Sequence, residues 1–258
     1  LLAATALALV LAPAASAARV EAGPLRARTS ETPWSLAFTD RDGRRVLTEA
    51  SGTGTGPTGR VGFRTAAGWF HATRVVRSRA AGSTAYHATL ATNDPLGRRI
   101  ELRLARDAGG VIALSARVTG PTIAEVTYTG IAFRARPGER YLGFGERSNA
   151  VDQRGREVES YVAEGPFEED ERAFVPAFVP PWGFHPRDDA TYFPMPWLLS
   201  TAGYGVLVDS PETSLHRLGT DSRAAWSVEV EAPRLRMRVF AGPRPAGALR
   251  RLTARIGR

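Results

Sequence analysis

Between Trp34 and Ala135 the chain is written almost wholly in period two. Segments such as WSLAFTD, VGFRT, STAYHATLAT and RRIELRLARD alternate apolar and polar residues or run β-branched. Turn-forming clusters (DRDG, AAGS, NDPLG, DAGG) separate them. Side chains on a strand point alternately to its two faces, so this pattern gives each strand one apolar and one polar face. Short strands of this kind, punctuated by regular turn signals, pack as an antiparallel sandwich. RIELRLARDAGGVIALSARV is the clearest hairpin. Ile100, Leu102 and Leu104 share one side of its first strand; Ile112, Leu114, Ala116 and Val118 share one side of its second. A slip of one residue would turn that whole apolar set to water, which fixes the register. The expected fold class is therefore all-β, an antiparallel β-sandwich.

Two ends depart from this pattern. At the start, an apolar run from Leu1 to Leu11 precedes Pro13 and small residues, and Ala15-Ser16-Ala17 fits the A-x-A cleavage rule. The run is too short to span a bilayer. No charged region precedes it, so residues 1–18 read as a signal peptide whose beginning is missing. The expected location is secreted or periplasmic, with no membrane association after cleavage. At the other end, Leu249, Leu252 and Ile256 fall at i, i+3 and i+7, and Gly257 stands where a helix C-cap would. Residues 243–258 read as a short helix that stops where a piece cut at a domain boundary would stop.

Composition excludes several classes. The absence of cysteine removes disulfides, thiolate catalysis, Cys-based zinc sites and a lipoprotein anchor. All 34 basic residues are arginine, against 26 acidic ones, for a net charge of +8. They are scattered along the chain, and no basic stretch is interleaved with aromatics, so no nucleic-acid partner is expected. GTGPTG (Gly54 to Gly59) matches G-x-G-x-x-G, but Pro57 sits inside it and a strand, not a helix, follows. It reads as a loop rather than a dinucleotide site. His71 and His87 lie in strand patterns with no partner at ligand spacing. No metal and no cofactor are expected.

From Tyr141 to Ala190 the alternation breaks into an irregular stretch rich in Pro, Gly, Glu and Arg. A loop of this length in a compact chain is either functional or disordered. Tyr161, Phe167, Phe174, Phe178, Trp182 and Phe184 favour function. Glu168, Glu169, Asp170 and Glu171 read as a solvated run. Glu164 differs, lying between Ala163 and Gly165 with Tyr161 close by. An aromatic ring packs on the C–H face of a sugar while a carboxylate accepts from its hydroxyls. Tyr161 and Glu164 are therefore the candidate substrate-binding residues, and His185, beside Trp182 and Phe184, is a candidate to line the same site. The following TYFPMPWLLSTAGYGVLVDS contains Pro194 and Pro196, which cannot donate to a ladder. An edge or entry strand is expected there, with Met195 and Trp197 packed beneath the long loop or against a partner domain.

These stretches also carry a family likeness. RYLGFGERSNAVDQRGREVESYVAE and YFPMPWLLSTAGYGVLVDS resemble the N-terminal region of glycoside hydrolase family 31, a family of retaining α-glucosidases, α-xylosidases and sulfoquinovosidases. Its marks are the turn Gly143-Phe144-Gly145-Glu146, the element Asp152-Gln153-Arg154-Gly155, and the aromatic-Pro-x-Pro strand leading to Gly203-Tyr204-Gly205. The likeness is strong from about Arg140 onward; earlier strands match only in pattern. It implies a galactose-mutarotase-like β-sandwich over residues 19–242, a long loop at 146–190, and a linker helix leading into a (β/α)₈ barrel that this sequence does not include. The family's nucleophile and acid/base lie in that barrel, so the resemblance assigns no catalytic residue here and implies that this piece alone is inactive. The partners it implies are a carbohydrate substrate and the barrel of the same chain, whose active-site mouth the loop would reach. Two alternatives stay open: a free-standing carbohydrate-binding module, and a mutarotase-like sugar epimerase using His185 and Glu164 as its acid/base pair.

Overall fold

The computed structural model describes residues 18–163, 174, 177 and 188–257. Among them are seventeen strands, one 3₁₀ turn and one α-helix. Four N-terminal strands, β1 (Arg19–Ala22), β2 (Leu25–Glu31), β3 (Trp34–Asp40) and β4 (Arg45–Thr48), form an antiparallel sheet in sequence order. Next come β5 (Gly62–Thr65), β6 (Gly68–Ala81), β7 (Ala85–Thr92), β8 (Arg99–Ala108), β9 (Val111–Thr119) and β10 (Tyr128–Arg134). The C-terminal part holds β11 (Tyr141–Gly145), β12 (Glu157–Ser160), β13 (Pro194–Ser200), β14 (Tyr204–Val208), β15 (Ser214–Arg217), β16 (Ala225–Val230), β17 (Arg234–Ala241) and helix α1 (Pro245–Ile256). No helix among the described residues is long and apolar enough to cross a membrane.

The thirteen strands after β4 form one hydrogen-bonded series, β11-β13-β14-β17-β9-β8-β7-β6-β5-β10-β16-β15-β12. It folds over at β6, whose first residues pair with β5 and whose remainder pairs with β7 through two register shifts. Such irregularities bend a strand and increase its twist. The two halves of the series thereby face each other. Tyr204 of β14 stacks over Trp226 of β16 with ring centroids 6.5 Å apart, and Tyr141 of β11 approaches the same indole at 6.2 Å. This is the antiparallel β-sandwich that the alternating sequence specifies, with a single short helix at its C-terminal end.

The β8–β9 hairpin has the expected register: Ile100 faces Val118, Leu102 faces Ala116 and Leu104 faces Leu114, all fully buried. Each of the larger of these side chains contributes about 1.5–3 kcal/mol by leaving water. The four-stranded sheet adds Leu25, Trp34, Leu36 and Phe38 to the same core.

Two expectations about the C-terminal part need correction. Strand β13 is not an edge: β11 lies on one side and β14 on the other. The prolines are tolerated because pairing with β14 begins only at Trp197, past both of them, and pairing with β11 shifts register between Gly143 and Gly145. Pro194 and Pro196 thus occupy the part of the strand where missing donors cost least. Among the described residues the buried apolar neighbours of Trp197 belong to β17, β9 and α1. Its ring meets Phe240 edge-on at 5.2 Å and joins Val111, Ala248 and Leu252 in a small second core beneath α1. Gly205 makes room for it, since a Cβ there would lie 1.9 Å from the indole. The buried face of α1 is accordingly Gly247, Ala248 and Leu252, while Leu249 and Ile256 are exposed. Small residues let the helix approach Gly242 closely, and that approach decides which face turns inward. The helix ends at Gly257, whose N–H donates to Thr253 O at 3.0 Å with φ at 91°.

Candidate functional site

The irregular stretch runs from the end of β11 to the start of β13 and contributes β12 to the sheet on its way. Its base is built from polar contacts buried in the fold. Phe144 is one of the two non-glycine residues with positive φ among those described (69°). Its ring is fully buried and meets His216 of β15 edge-on at 5.1 Å. That inward turn is flanked by Gly145 at φ 83°, where a Cβ would lie 2.0 Å from Phe193 O, so only glycine fits. The conformation delivers Arg147 to the interior.

Arg147 has a side chain only 2% exposed. Its Nε donates to Phe144 O at 2.9 Å and one terminal nitrogen to Glu159 O of β12 at 2.9 Å. The other donates to Asp189 O and reaches Asp189 Oδ2 at 3.5 Å. Asp189 Oδ2 also accepts from Glu159 N at 2.9 Å. One buried ion pair thus ties together the exit from β11, strand β12 and the approach to β13. A buried pair of this kind holds position mainly because breaking it strands a charge away from water.

The second brace is Asp152-Gln153-Arg154-Gly155. Asp152 Oδ1 accepts from Tyr141 N and Arg154 N, both at 3.0 Å. Arg154 donates to the carbonyls of Arg136, Glu139 and Arg223 and lies over the Tyr141 ring at 5.9 Å. Buried Glu139 accepts from Ser200 Oγ at 2.5 Å and Tyr204 Oη at 2.6 Å, and Trp226 Nε1 donates to that same Tyr204 oxygen. Burial, reinforced by the Glu139 carboxylate, pushes the Tyr204 hydroxyl well above its ordinary range, so it remains a donor. These groups face one another and the backbone; their chemistry is architectural.

Tyr161 follows β12 and is 51% exposed. Ala163 N donates to Thr191 O at 3.1 Å, which lays Tyr161 and Val162 alongside Tyr192 and Phe193, all four of them exposed. Exposed Glu146 joins them through its backbone N–H, which donates to Phe193 O at 3.1 Å. Glu164 and His185 lie outside the described residues, so the pairing of Tyr161 with Glu164 and the proposed acid/base pair both fall there. The stretch also contains β12, which the broken alternation did not announce.

The remaining titratable groups are poor candidates for chemistry. His71, fully buried, has ring nitrogens 2.7 Å from Arg60 O and 2.9 Å from Gly56 O, so the glycine-rich stretch folds onto it. His216 has no hydrogen-bond partner at either ring nitrogen among the described residues, and burial, aided by Arg147, lowers it to about 3. It stays neutral. The groove between the β5–β6 turn and Tyr128, about 810 Å³, contains Arg98, but that guanidinium is held by Asp94 at 2.8 and 3.1 Å and by Glu125 at 3.3 Å. No group of three or more His, Asp or Glu that could hold a metal occurs among the described residues.

Residues 4–215 match the model of the glycosyl hydrolase 31 N-terminal galactose mutarotase-like domain. The chain belongs to this family. Over 95 residues it is 30% identical to an isomaltosyltransferase of Sporosarcina globispora, a match covering 37% of this chain and 7% of that protein. A GH31 family sulfoquinovosidase from E. rectale, solved with an aza-sugar inhibitor, shares the fold at a TM-score of 0.62 and 13% identity. That likeness covers 90% of this chain and 34% of the sulfoquinovosidase. The chain thus spans about a third of that enzyme and far less of the transferase. The GH31 marks read from the sequence, Gly143 to Glu146 and Asp152 to Gly155, are the two braces at the base of the irregular stretch. The pair that closes it, Arg147 and Asp189, was missed. Its one sequence signal is an arginine directly after the glycine turn with an Asp-Asp-Ala step just ahead of the returning strand.

Proposed function

We propose that this chain is the non-catalytic N-terminal sandwich of a secreted retaining α-glycosidase, and that the stretch between Glu146 and Ala190 lines the mouth of an active site carried by a following barrel. The observation that supports this most is the Arg147–Asp189 clamp within a GH31 N-terminal domain. That buried ion pair joins residues 42 positions apart at the base of the stretch, and Tyr161, Tyr192 and Phe193 near it are exposed. Tyr161 and Glu164 would supply a ring for a sugar face and a carboxylate for its hydroxyls. Catalysis would rest on carboxylates outside these residues. The leader reading of residues 1–18 supports export to the periplasm or beyond.

The test compares this chain with the full gene product on aryl α-glucoside, α-xyloside and α-sulfoquinovoside. Turnover by the full protein and none by this chain is expected. Turnover by this chain alone, above a heat-killed control, would overturn the non-catalytic assignment.

A further inference from the structure

The arginines that are scattered in the sequence are gathered by the sheet. Residues paired across antiparallel strands point to the same face, so cross-strand registers define rungs. One rung on the outer face of β6, β7, β8, β9 and β17 reads Arg79, His87, Arg103, Ser115, Arg236. The next, two residues along each strand, reads Arg77, Thr89, Glu101, Arg117, Arg234. Arg74 and Arg99 continue the field into a third. The arginines named are all exposed. Glu101 is the single carboxylate in these rungs; it lies 3.6 Å from Arg77, and Glu212 reaches Arg234 from a neighbouring turn. Arg79, Arg103, Arg117 and Arg236 form no ion pair among the described residues. His87 feels this field: burial first, then Arg103 and Arg79, lower its affinity for a proton.

We infer that this face binds an acidic polysaccharide, a glycan chain carrying carboxylate or sulfate on successive sugars. The inference is independent of the assignment of an active-site mouth. Five strands at about 4.8 Å spacing make a flat field about 19 Å across, with rungs about 7 Å apart. Guanidinium groups held at that spacing meet successive acidic groups of an extended chain, each with two parallel N–H donors. The rungs contain no Phe, Tyr or Trp on which an unpaired base would stack, and no helix lies among them to enter the major groove of duplex DNA. Nor does the field carry the large apolar side chains by which a peripheral protein inserts among lipid chains. Charge complementarity without stacking or insertion leaves a polyanionic glycan as the partner that the surface fits.

The experiment uses the full gene product in about 50 mM NaCl, a salt low enough for counterion release to favour binding. Polygalacturonate tests carboxylate, heparin tests sulfate, and dextran is the neutral control. Binding of at least one acidic glycan and none of dextran is expected, with affinity falling steeply as salt rises. Arg79→Ser, Arg103→Ser and Arg236→Ser together should weaken it at least about tenfold, because fewer counterions are released. A control triple, Arg41→Ser, Arg140→Ser and Arg223→Ser, removes the same charge from exposed loops and should bind as the parent does. The inference falls if no acidic glycan binds, if the control triple loses as much as the rung triple, or if a single-stranded oligonucleotide or anionic vesicles bind more tightly than either glycan.

Discussion

Glu49 offers a direct test of the energetics of this fold. It sits where the chain crosses from the four-stranded sheet to the large one, pairing backbone-wise with Phe133. Its Oε1 accepts from Val61 N at 2.7 Å and Trp34 Nε1 at 3.2 Å, while Oε2 is buried with no hydrogen-bond partner among the described residues. Burial outweighs these hydrogen bonds and raises the carboxyl from 4.5 to about 7. A raised folded-state pKa means that the native protein binds more protons than the unfolded chain between those values, so stability falls as pH rises through that window. At ~1.36 kcal/mol per pH unit, the interval from 4.5 to about 7 corresponds to about 3 kcal/mol lost by pH 8. Glu49→Gln keeps an acceptor for Val61 and Trp34 and cannot ionise. Urea denaturation of parent and variant at pH 4, 6 and 8 should give nearly equal stabilities at pH 4 and a variant about 3 kcal/mol more stable at pH 8. His216 titrates in the opposite sense, its depressed pKa removing stability as pH falls below 6.5, but it is present in both proteins and cancels in the difference. A variant whose advantage is the same at pH 4 and pH 8 would show that Glu49 is not a buried, reluctantly ionised acid.

Three further predictions follow from the site and its support. Arg147→Met removes the buried donors to Phe144 O, Glu159 O and Asp189 and should cost about 3–5 kcal/mol in the melt, and should lower kcat/KM of the full gene product further than its stability loss explains. Gly205→Ala drives a methyl into the Trp197 ring and should destabilise by about 1–3 kcal/mol, read as a lowered midpoint of unfolding with an unchanged slope. Tyr161→Ala and Glu164→Gln, measured in the full gene product with melts alongside, should each lower kcat/KM by roughly ten- to hundred-fold at unchanged stability; values within about twofold of the parent would mean that the stretch is only a cover.

Strands with clean alternation were legible because one face must be dry: β7, β8, β9 and β17 read directly from their apolar sets. Short strands were not. β15 is four residues long and buries a histidine, and β12 buries only Val158 fully. β2 alternates, but its inward residues are Leu25, Ala27 and Thr29, too small and mixed to stand out. In α1, hydrophobicity pointed to Leu249 and Ile256, whereas packing selected the smaller Gly247 and Ala248 with Leu252. The candidate site was legible as a place, through its glycine turn and broken pattern. Its clamp was not, because an arginine and an aspartate 42 positions apart become partners only after β11 and β13 pair.

The Arg147–Asp189 closure has a consequence for how such a protein can change over time. β12 and the Asp152–Gly155 brace lie inside that closure and belong to the sandwich, whereas among the described residues no further strand occurs between Ser160 and β13. Lengthening a closed segment costs little, about 0.6 kcal/mol for each doubling. Selection could therefore rewrite the sequence between Val162 and Asp188, or swap it from a relative, while β12 and the brace keep the frame. The sandwich would act as a socket and the segment as an interchangeable fitting, so two proteins with the same frame could meet different sugars through the part that is easiest to replace.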